Sequence, residues 1–247
     1  MVDLDRTEEN AWSAVASEWV ELWGSFGTPA REAIVAATGI GDGTRVLDVG
    51  CGSGEFLDLL VSVGADPSGV DPAPGMVALA GPLAQLGEWE QLPWADNTFD
   101  VVTAVNSLQF AEDTLDALAE AKRVTRPGGL IAVANWAEGA LNDLNVIESA
   151  VAEKAGEEVL PDGDLRPEGG LARLLVDAGL EVVASGLVSM PWHAPNMATL
   201  VRGVLLGEDD EVMAALAPVI LDAAEPFQTE NGYVLNNAFR YAVGRVS

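Results

Sequence analysis

The 247-residue sequence has one cysteine, Cys51, one histidine, His193, and only two lysines, Lys122 and Lys154. A single cysteine excludes an internal disulfide framework and a cysteine-built zinc site. A single histidine excludes a cluster of imidazole metal ligands, and any Ser-His-Asp arrangement would hang on that one residue. No G-x-S-x-G elbow accompanies it. Basic residues are scarce altogether: twelve against 39 acidic ones, a net charge of −27. So acidic a surface repels phosphate backbones and anionic headgroups, which argues against nucleic acid and membrane surfaces as partners. It mildly favours a cationic small ligand, although selection for solubility or salt tolerance accounts for the composition equally well. The opening Met1-Val2-Asp3-Leu4-Asp5 is acidic and lacks an apolar core, so no secretory signal is expected. The longest uncharged stretch, residues 182–201, contains Pro191, His193, Pro195 and Asn196, which breaks a membrane-spanning reading. The expectation is a soluble, cytoplasmic protein, whose 49% hydrophobic residues supply a core.

No repeat of 20–50 residues and no low-complexity linker is visible. Trp12, Val15, Trp19, Leu22 and Phe26 recur at helical spacing, which predicts an amphipathic helix over Thr7–Phe26. Thr28-Pro29 reads as an N-cap with proline at N1, opening a helix that stops near Gly39. Strand and helix patterns then alternate: strands at 45–49, 68–71, 99–105 and 130–135, helices at 55–63, 75–80 and 114–124. Such alternation predicts βαβ crossovers and a doubly wound, mostly parallel α/β sheet. Beyond Trp136 the pattern predicts helices at 141–155, 168–178, 197–206 and 211–224, a strand at 180–190, and a last strand at 234–243. Leu160-Pro161-Asp162-Gly163-Asp164 reads as a loop, and Glu208-Asp209-Asp210-Glu211 as an acidic helix start. The whole chain, 1–247, reads as a single domain. Residues 1–40 form N-terminal helices of a lid, 41–136 a ligand-binding core, and 137–247 substrate-side helices and closing strands.

The chemistry concentrates in Val46-Leu47-Asp48-Val49-Gly50-Cys51-Gly52-Ser53-Gly54, a glycine-rich turn between a strand and a helix. Gly50, Gly52 and Gly54 remove side chains where a ligand must approach backbone. Asp71 ends the next strand at the same sheet edge, where a carboxylate can accept hydrogen bonds from both hydroxyls of a ribose. A dinucleotide fingerprint needs glycine three residues after Gly52, but Glu55 stands there. Its carboxylate suits a helix N-terminus and would repel a pyrophosphate. The turn therefore fits a phosphate-free nucleoside that carries a cation, and S-adenosylmethionine is such a ligand. A nicotinamide-dependent dehydrogenase is the disfavoured alternative.

These residues resemble the class I S-adenosylmethionine-dependent methyltransferases, most nearly the broad UbiE/Coq5-like small-molecule group. Four segments carry the resemblance in order: residues 46–54; Gly69-Val70-Asp71-Pro72; Leu92-Pro93-Trp94-Ala95-Asp96-Asn97-Thr98-Phe99-Asp100-Val101-Val102; and Arg123-Val124-Thr125-Arg126-Pro127-Gly128-Gly129-Leu130. The resemblance implies a seven-stranded Rossmann-like methyltransferase fold with an antiparallel last strand and a helical lid. It also implies S-adenosylmethionine as cofactor and a small-molecule acceptor. Asp48 and the loop of Gly50, Cys51, Gly52 and Gly54 would face the methionine portion. Asp71 would hold the ribose, and Met76 could pack on the adenine. Glu88 would read the adenine amino group with the Trp89 backbone beside it, and the Asn106 backbone would lie near the methionine amino group. Plainer readings stand beside these: Asp48 as a cap for loop amides, and Cys51 and Met76 as packing residues. The third strand, around 85–90, is short and poorly patterned, so Glu88 and Glu90 compete for the adenine role. Gln109 stands where many relatives carry histidine, which removes one general base.

His193 remains a weak candidate for a base over the cleft, with a surface histidine as the alternative. Glu138 and Asp143 follow the strand at 130–135 and read by default as solvated carboxylates. No metal-ligand constellation appears. Trp12, Trp19, Trp23, Trp94, Trp136 and Trp192 fall near lid elements or strand ends; a cleft lined by some of them would take an apolar or aromatic acceptor. Core packing competes for Trp12 and Trp19. The expected function is in-line methyl transfer to a small acceptor. The alternative is a protein that binds the same cofactor without methylating, as a cyclase-type catalyst or an inactive partner. Oligomeric state is left open.

Overall fold

In the computed structural model, which describes residues 9–159 and 161–247, the strand β1 (Arg45–Val49) is buried on both faces. That is the mark of a strand lying between two helical layers. Val46 turns to one layer and Leu47 to the other. Thr7, the Met1–Asp5 stretch and Leu160, all read above, lie outside the described residues. Two helices precede β1, α1 (Glu9–Trp23) and α2 (Thr28–Thr38). The alternation then runs α3 (Glu55–Ser62), β2 (Asp66–Asp71), α4 (Pro74–Ala80), β3 (Ala84–Leu86), β4 (Phe99–Val105), α5 (Thr114–Val124) and β5 (Thr125–Trp136). Next come α6 (Asp143–Ala155), α7 (Gly170–Asp177), β6 (Glu181–Ser189), β7 (Trp192–Ala194), α8 (Met197–Val204) and α9 (Asp210–Ala223). The short β8 (Gln228–Thr229), β9 (Gly232–Leu235) and the long β10 (Ala238–Arg245) close the chain.

Seven strands form one sheet in the order β3-β2-β1-β4-β5-β10-β6, and β10 runs antiparallel to both its neighbours. β1 through β5 are parallel throughout. This is the doubly wound α/β fold that the alternation predicts. The strand order reverses between β1 and β4, and such a switch point opens a crevice at the carboxyl ends of the strands.

Three local expectations are corrected. The single closing strand at 234–243 is two strands, β9 and β10, broken at Asn236–Asn237. Both pieces alternate, so periodicity alone joins them, but the Asn236 backbone N–H donates to Asp143 and the Asn237 carboxamide accepts from the Leu144 backbone. These bonds turn the chain out of a small β7-β9-β8 sheet into the main one. Thr28 is not the cap of α2 but its first residue; Gly27, already in a helical turn conformation, precedes it without a side-chain cap. β3 ends at Leu86, so Glu88 and Glu90 follow it in a turn that Glu88 and Gln91 bridge.

The motif at 92–102 is held down by one cation. Arg123 donates to the carbonyls of Leu92 and Trp94, and to the carboxylates of Glu120 and Asp96. α1 is fastened by its tryptophans. Trp23 stacks on Trp192 with centroids 4.3 Å apart, and the two indole N–H groups donate to Gly203 O and Leu22 O. A buried tryptophan thus keeps its one polar group satisfied. Replacing Trp192 with alanine should cost about 3–5 kcal/mol of stability, the usual loss for a buried large-to-small change. Urea unfolding followed by tryptophan fluorescence and circular dichroism checks it.

Candidate functional site

The loop after β1, the end of β2, the end of β4 and the α1–α2 turn converge at the carboxyl edge of the switch point. The loop is set by backbone bonds: Gly50 N and Cys51 N both donate to Val70 O, at 2.8 and 3.0 Å. Gly50 has φ +70°, and a Cβ there would fall 2.3 Å from that of Ser107, so only glycine fits. At Gly52, with φ +54°, nothing lies within 4 Å of the Cβ position. The loop offers bare backbone to open space.

Two buried carboxylates flank this opening. Asp71 accepts from Gly52 N at 2.8 Å through one oxygen and from Ala73 N at 3.0 Å through the other. Each oxygen keeps a second lone pair. Burial pushes the Asp71 carboxyl above its ordinary range, against the pull of those two amide bonds. Asp48, 3% exposed, accepts from Thr103 Oγ1 at 2.7 Å across the β1–β4 pair. Burial raises its pKa to about 7; the Thr103 bond and the Arg31 charge oppose the rise, and the neighbouring Asp71 and Glu55 reinforce it.

Arg31, on α2, was not picked out from sequence. Its guanidinium donates to Gly24 O at 2.9 Å and stands 3.7 Å from Glu55, whose other oxygen accepts from Ser53 Oγ at 2.6 Å. Desolvation lowers the Arg31 pKa, while Glu55 and Asp48 raise it. One clue was available: Arg31 is the only basic residue of α2, whose remaining residues apart from Glu32 are small or apolar. A cavity of about 330 Å³ opens beside it, lined by Gly24, Ser25, Thr28, Glu55 and Leu59.

At the end of β4, Asn106 adopts φ +56°, unusual for a residue with a side chain, and its N–H donates to Ala134 O. Gln109 donates its amide to both Asn106 O and Asn106 Oδ1, at 3.1 and 2.9 Å. The Gln109 Oε1 atom is buried without a partner among the described residues. Beside it, Phe110 meets the edge of Trp12 from α1 at 6.0 Å. Met76 is buried with Ala16 and Ala73, against Trp12 and Trp19. Cys51 is buried and its thiol pKa is raised by desolvation and the carboxylates around it, so it is no nucleophile.

Other expected residues lie apart. Glu88 is exposed, whereas Glu90 is tied to the Glu112 backbone at 3.0 Å. Trp89 is buried with an unpartnered indole N–H. His193 sits at the centre of β7, exposed, beside a cavity of about 460 Å³ lined by Glu21, Ser25, Phe26 and Thr199. No residue of the glycine loop lines that cavity, so His193 is not brought together with Asp48 and Asp71. Glu138 and Asp143 are not solvated carboxylates. Arg240 grips Glu138 with bonds of 2.6 and 2.7 Å and holds its pKa at about 2, and Asp143 anchors the Asn236 backbone at 2.7 Å. Trp23 and Trp192 are core, while Trp94 packs on Phe99. No metal-binding cluster occurs among the described residues, and none of their helices is long and apolar enough to cross a membrane.

Fold and site together define a class I, Rossmann-like methyltransferase domain, and comparison with known proteins agrees. Residues 47–133 match the methyltransferase domain family. A malonyl-[acyl-carrier protein] O-methyltransferase of Serratia marcescens is 35% identical over 142 residues, 53% of this chain and 56% of that protein. The chain thus spans little more than half that relative's length. A ubiquinone biosynthesis O-methyltransferase of Rhizobium rhizogenes is 29% identical over 216 residues, 73% of this chain and 84% of the relative. A chain in the complex between the Haloferax volcanii Trm112 methyltransferase activator and the putative methyltransferase shares the fold. It has a TM-score of 0.62 and 21% identity, over 97% of both chains. The chain is thus similar to S-adenosylmethionine-dependent methyltransferases of the UbiE-like group, most clearly over residues 47–133.

The buried Asp48 makes stability depend on pH. Its carboxyl holds a proton up to about pH 7 in the folded protein, while in the unfolded chain it releases the proton near 3.8. Stability from this group is therefore greatest below about pH 4 and declines as pH rises to about 7, above which the full penalty is present. Asp48→Asn should raise stability at pH 8 by on the order of 4 kcal/mol and leave it nearly unchanged at pH 4. Thermal melts of both proteins at the two pH values measure this.

Proposed function

We propose that this protein transfers a methyl group from S-adenosylmethionine to a small, apolar or aromatic acceptor by in-line displacement. The observation that carries the reading is the phosphate-free cradle: open backbone at Gly52 between buried Asp48 and Asp71, with Glu55 at the mouth of α3. Anionic groups surround the loop, so a cationic nucleoside is favoured where a pyrophosphate would be repelled.

When bound, S-adenosylmethionine supplies an electrophilic methyl on a sulfonium. The free lone pairs of Asp71 accept the two ribose hydroxyls. Asp48, with the bare loop from Gly50 to Gly54, faces the cationic methionine end, and Arg31 offers its guanidinium to the carboxylate of the same portion. Asn106 presents main chain to the amino group. Glu88 is left to read the adenine amino group, because Glu90 is committed to Glu112. Met76 packs beside the base under Trp12. On the acceptor side Gln109 Oε1, buried and unpartnered, takes a hydrogen bond from an acceptor O–H or N–H beside the Trp12–Phe110 pair. The helices α1 and α2, with α8 and α9 between the last strands, form the lid that excludes water.

Asp48 is committed to the methionine end, and no ready base stands on the acceptor side among the described residues. Gln109 is an amide, and Glu138 is locked to Arg240. The acceptor therefore arrives as an anion or yields its proton to water. This absence also favours a second reading, a protein that binds the cofactor and catalyses a rearrangement or serves a partner. Product masses separate the two, since only methyl transfer adds a methylene's mass to an acceptor.

Calorimetry tests the cofactor assignment. S-adenosylhomocysteine should bind, and Asp71→Ala should weaken it by roughly 10–100-fold, the effect of losing hydrogen bonds to a charged group. No heat with the wild-type chain, or an Asp71→Ala variant that binds unchanged, refutes the assignment. Affinity for S-adenosylmethionine should rise from pH 6 to pH 8 as Asp48 ionises around 7. S-adenosylhomocysteine, which lacks the sulfonium charge, should respond less.

A further inference from the structure

The two edges of the main sheet differ in kind. At one end β3 has three residues and follows Pro82, a blunted edge of the sort that resists strand addition. At the other end β6 runs nine residues, from Glu181 to Ser189, with no strand on its outer side among the described residues. Between Val182 and Ser189 it carries no charge and no proline, and it opens the longest uncharged stretch of the chain, 182–201. Its one edge irregularity is a bulge at Val183, where the register against β10 skips a residue; beyond it, from Ala184 to Ser189, there is no lysine, no charge and no shortening. Val183 and Leu187, two positions that share a face, are 37% and 51% exposed, and Val176 of the adjoining α7 is 58% exposed.

We propose that β6 pairs antiparallel with β6 of a second copy of this chain, joining the two sheets into one. Charge decides the occupant. Two copies at −27 each repel over most of their surfaces, so self-association needs a strip without carboxylates, and residues 182–189 of β6 are one. A basic partner, by contrast, would be drawn to the acidic remainder. The strand is also self-complementary. A twofold axis through Ser185 sets Val183 opposite Leu187 of the partner subunit and Glu181 opposite Ser189 of the partner subunit. Apolar side chains then meet on one face and no two carboxylates are opposed.

Sedimentation equilibrium on the full chain tests the proposal. The expected mass is twice 25.7 kDa, and the dimer should tighten as salt rises, because screening removes the repulsion of like-charged copies. The double variant Val183→Glu, Leu187→Glu should raise the dissociation constant on the order of 100-fold, as burying unpaired carboxylates requires. Leu86→Glu, on the β3 edge, should leave the dimer intact. Hydrogen exchange on the wild-type protein gives a measure that needs no variant: amides of 182–189 should slow as protein concentration rises. A monomer at every salt, a dimer indifferent to the double variant, dissociation by Leu86→Glu, or concentration-independent exchange in β6 overturns the proposal.

Discussion

The carboxylate of Asp71 is the constraint on which the site depends. One of its oxygens holds the amide of Gly52 and the other the amide of Ala73, so the loop after β1 and the start of α4 are tied to the end of β2. Because the group is buried, water cannot replace either bond, and the loop keeps its shape only while the carboxylate stays in place. The contact between Gly50 and Ser107 locks the same loop from the β4 side. Geometry and charge are thus set by the same few atoms, which leaves the bare backbone at Gly52 facing open space between acidic groups.

The excess of acidic residues gives the few arginines special weight. Each one that forms a clamp spans segments distant in sequence. Arg123 holds the 92–96 turn, Arg240 binds Glu138 across β10 and β5, and Arg202 reaches from α8 to Glu18 and Glu21 of α1. Asp100 collects both Arg45 and Arg126; burial alone would raise it, but these bonds outweigh burial and hold its pKa at about 2. Exposed pairs of this kind contribute little individually, and their use is to fix where loops lie. Arg31 differs: half-buried at the site, it bonds the Gly24 carbonyl and stands 3.7 Å from the Glu55 carboxylate.

The aromatic residues divide along the same line. Trp23 and Trp192 stack and satisfy both indole N–H groups, which makes them core. Trp12 and Trp19 remain half-buried between α1 and α4, against Met76 and Phe110. Their half-buried state is what an apolar acceptor would meet. Gln109 precedes Phe110 in sequence, and its side-chain carbonyl oxygen has no hydrogen-bond donor among the described residues.

The alternation of strands and helices, the glycine loop and the acid at the end of β2 were legible in the sequence because each is local. Periodicity and turn chemistry act within a few residues. The break between β9 and β10 was not legible, since both pieces alternate and the bonds that part them come from Asp143 and Leu144, more than ninety residues away. For the same reason Arg31 escaped notice, Glu138 read as solvated and His193 stayed a candidate. Their roles depend on which distant groups reach them, and pairing and burial exist only once the chain has packed. The sequence by itself determined the fold class and the glycine loop at the carboxyl edge of the sheet. Only the tertiary structure decided which charged and aromatic side chains meet there, because burial and distance set their chemistry and neither is a property of a residue alone.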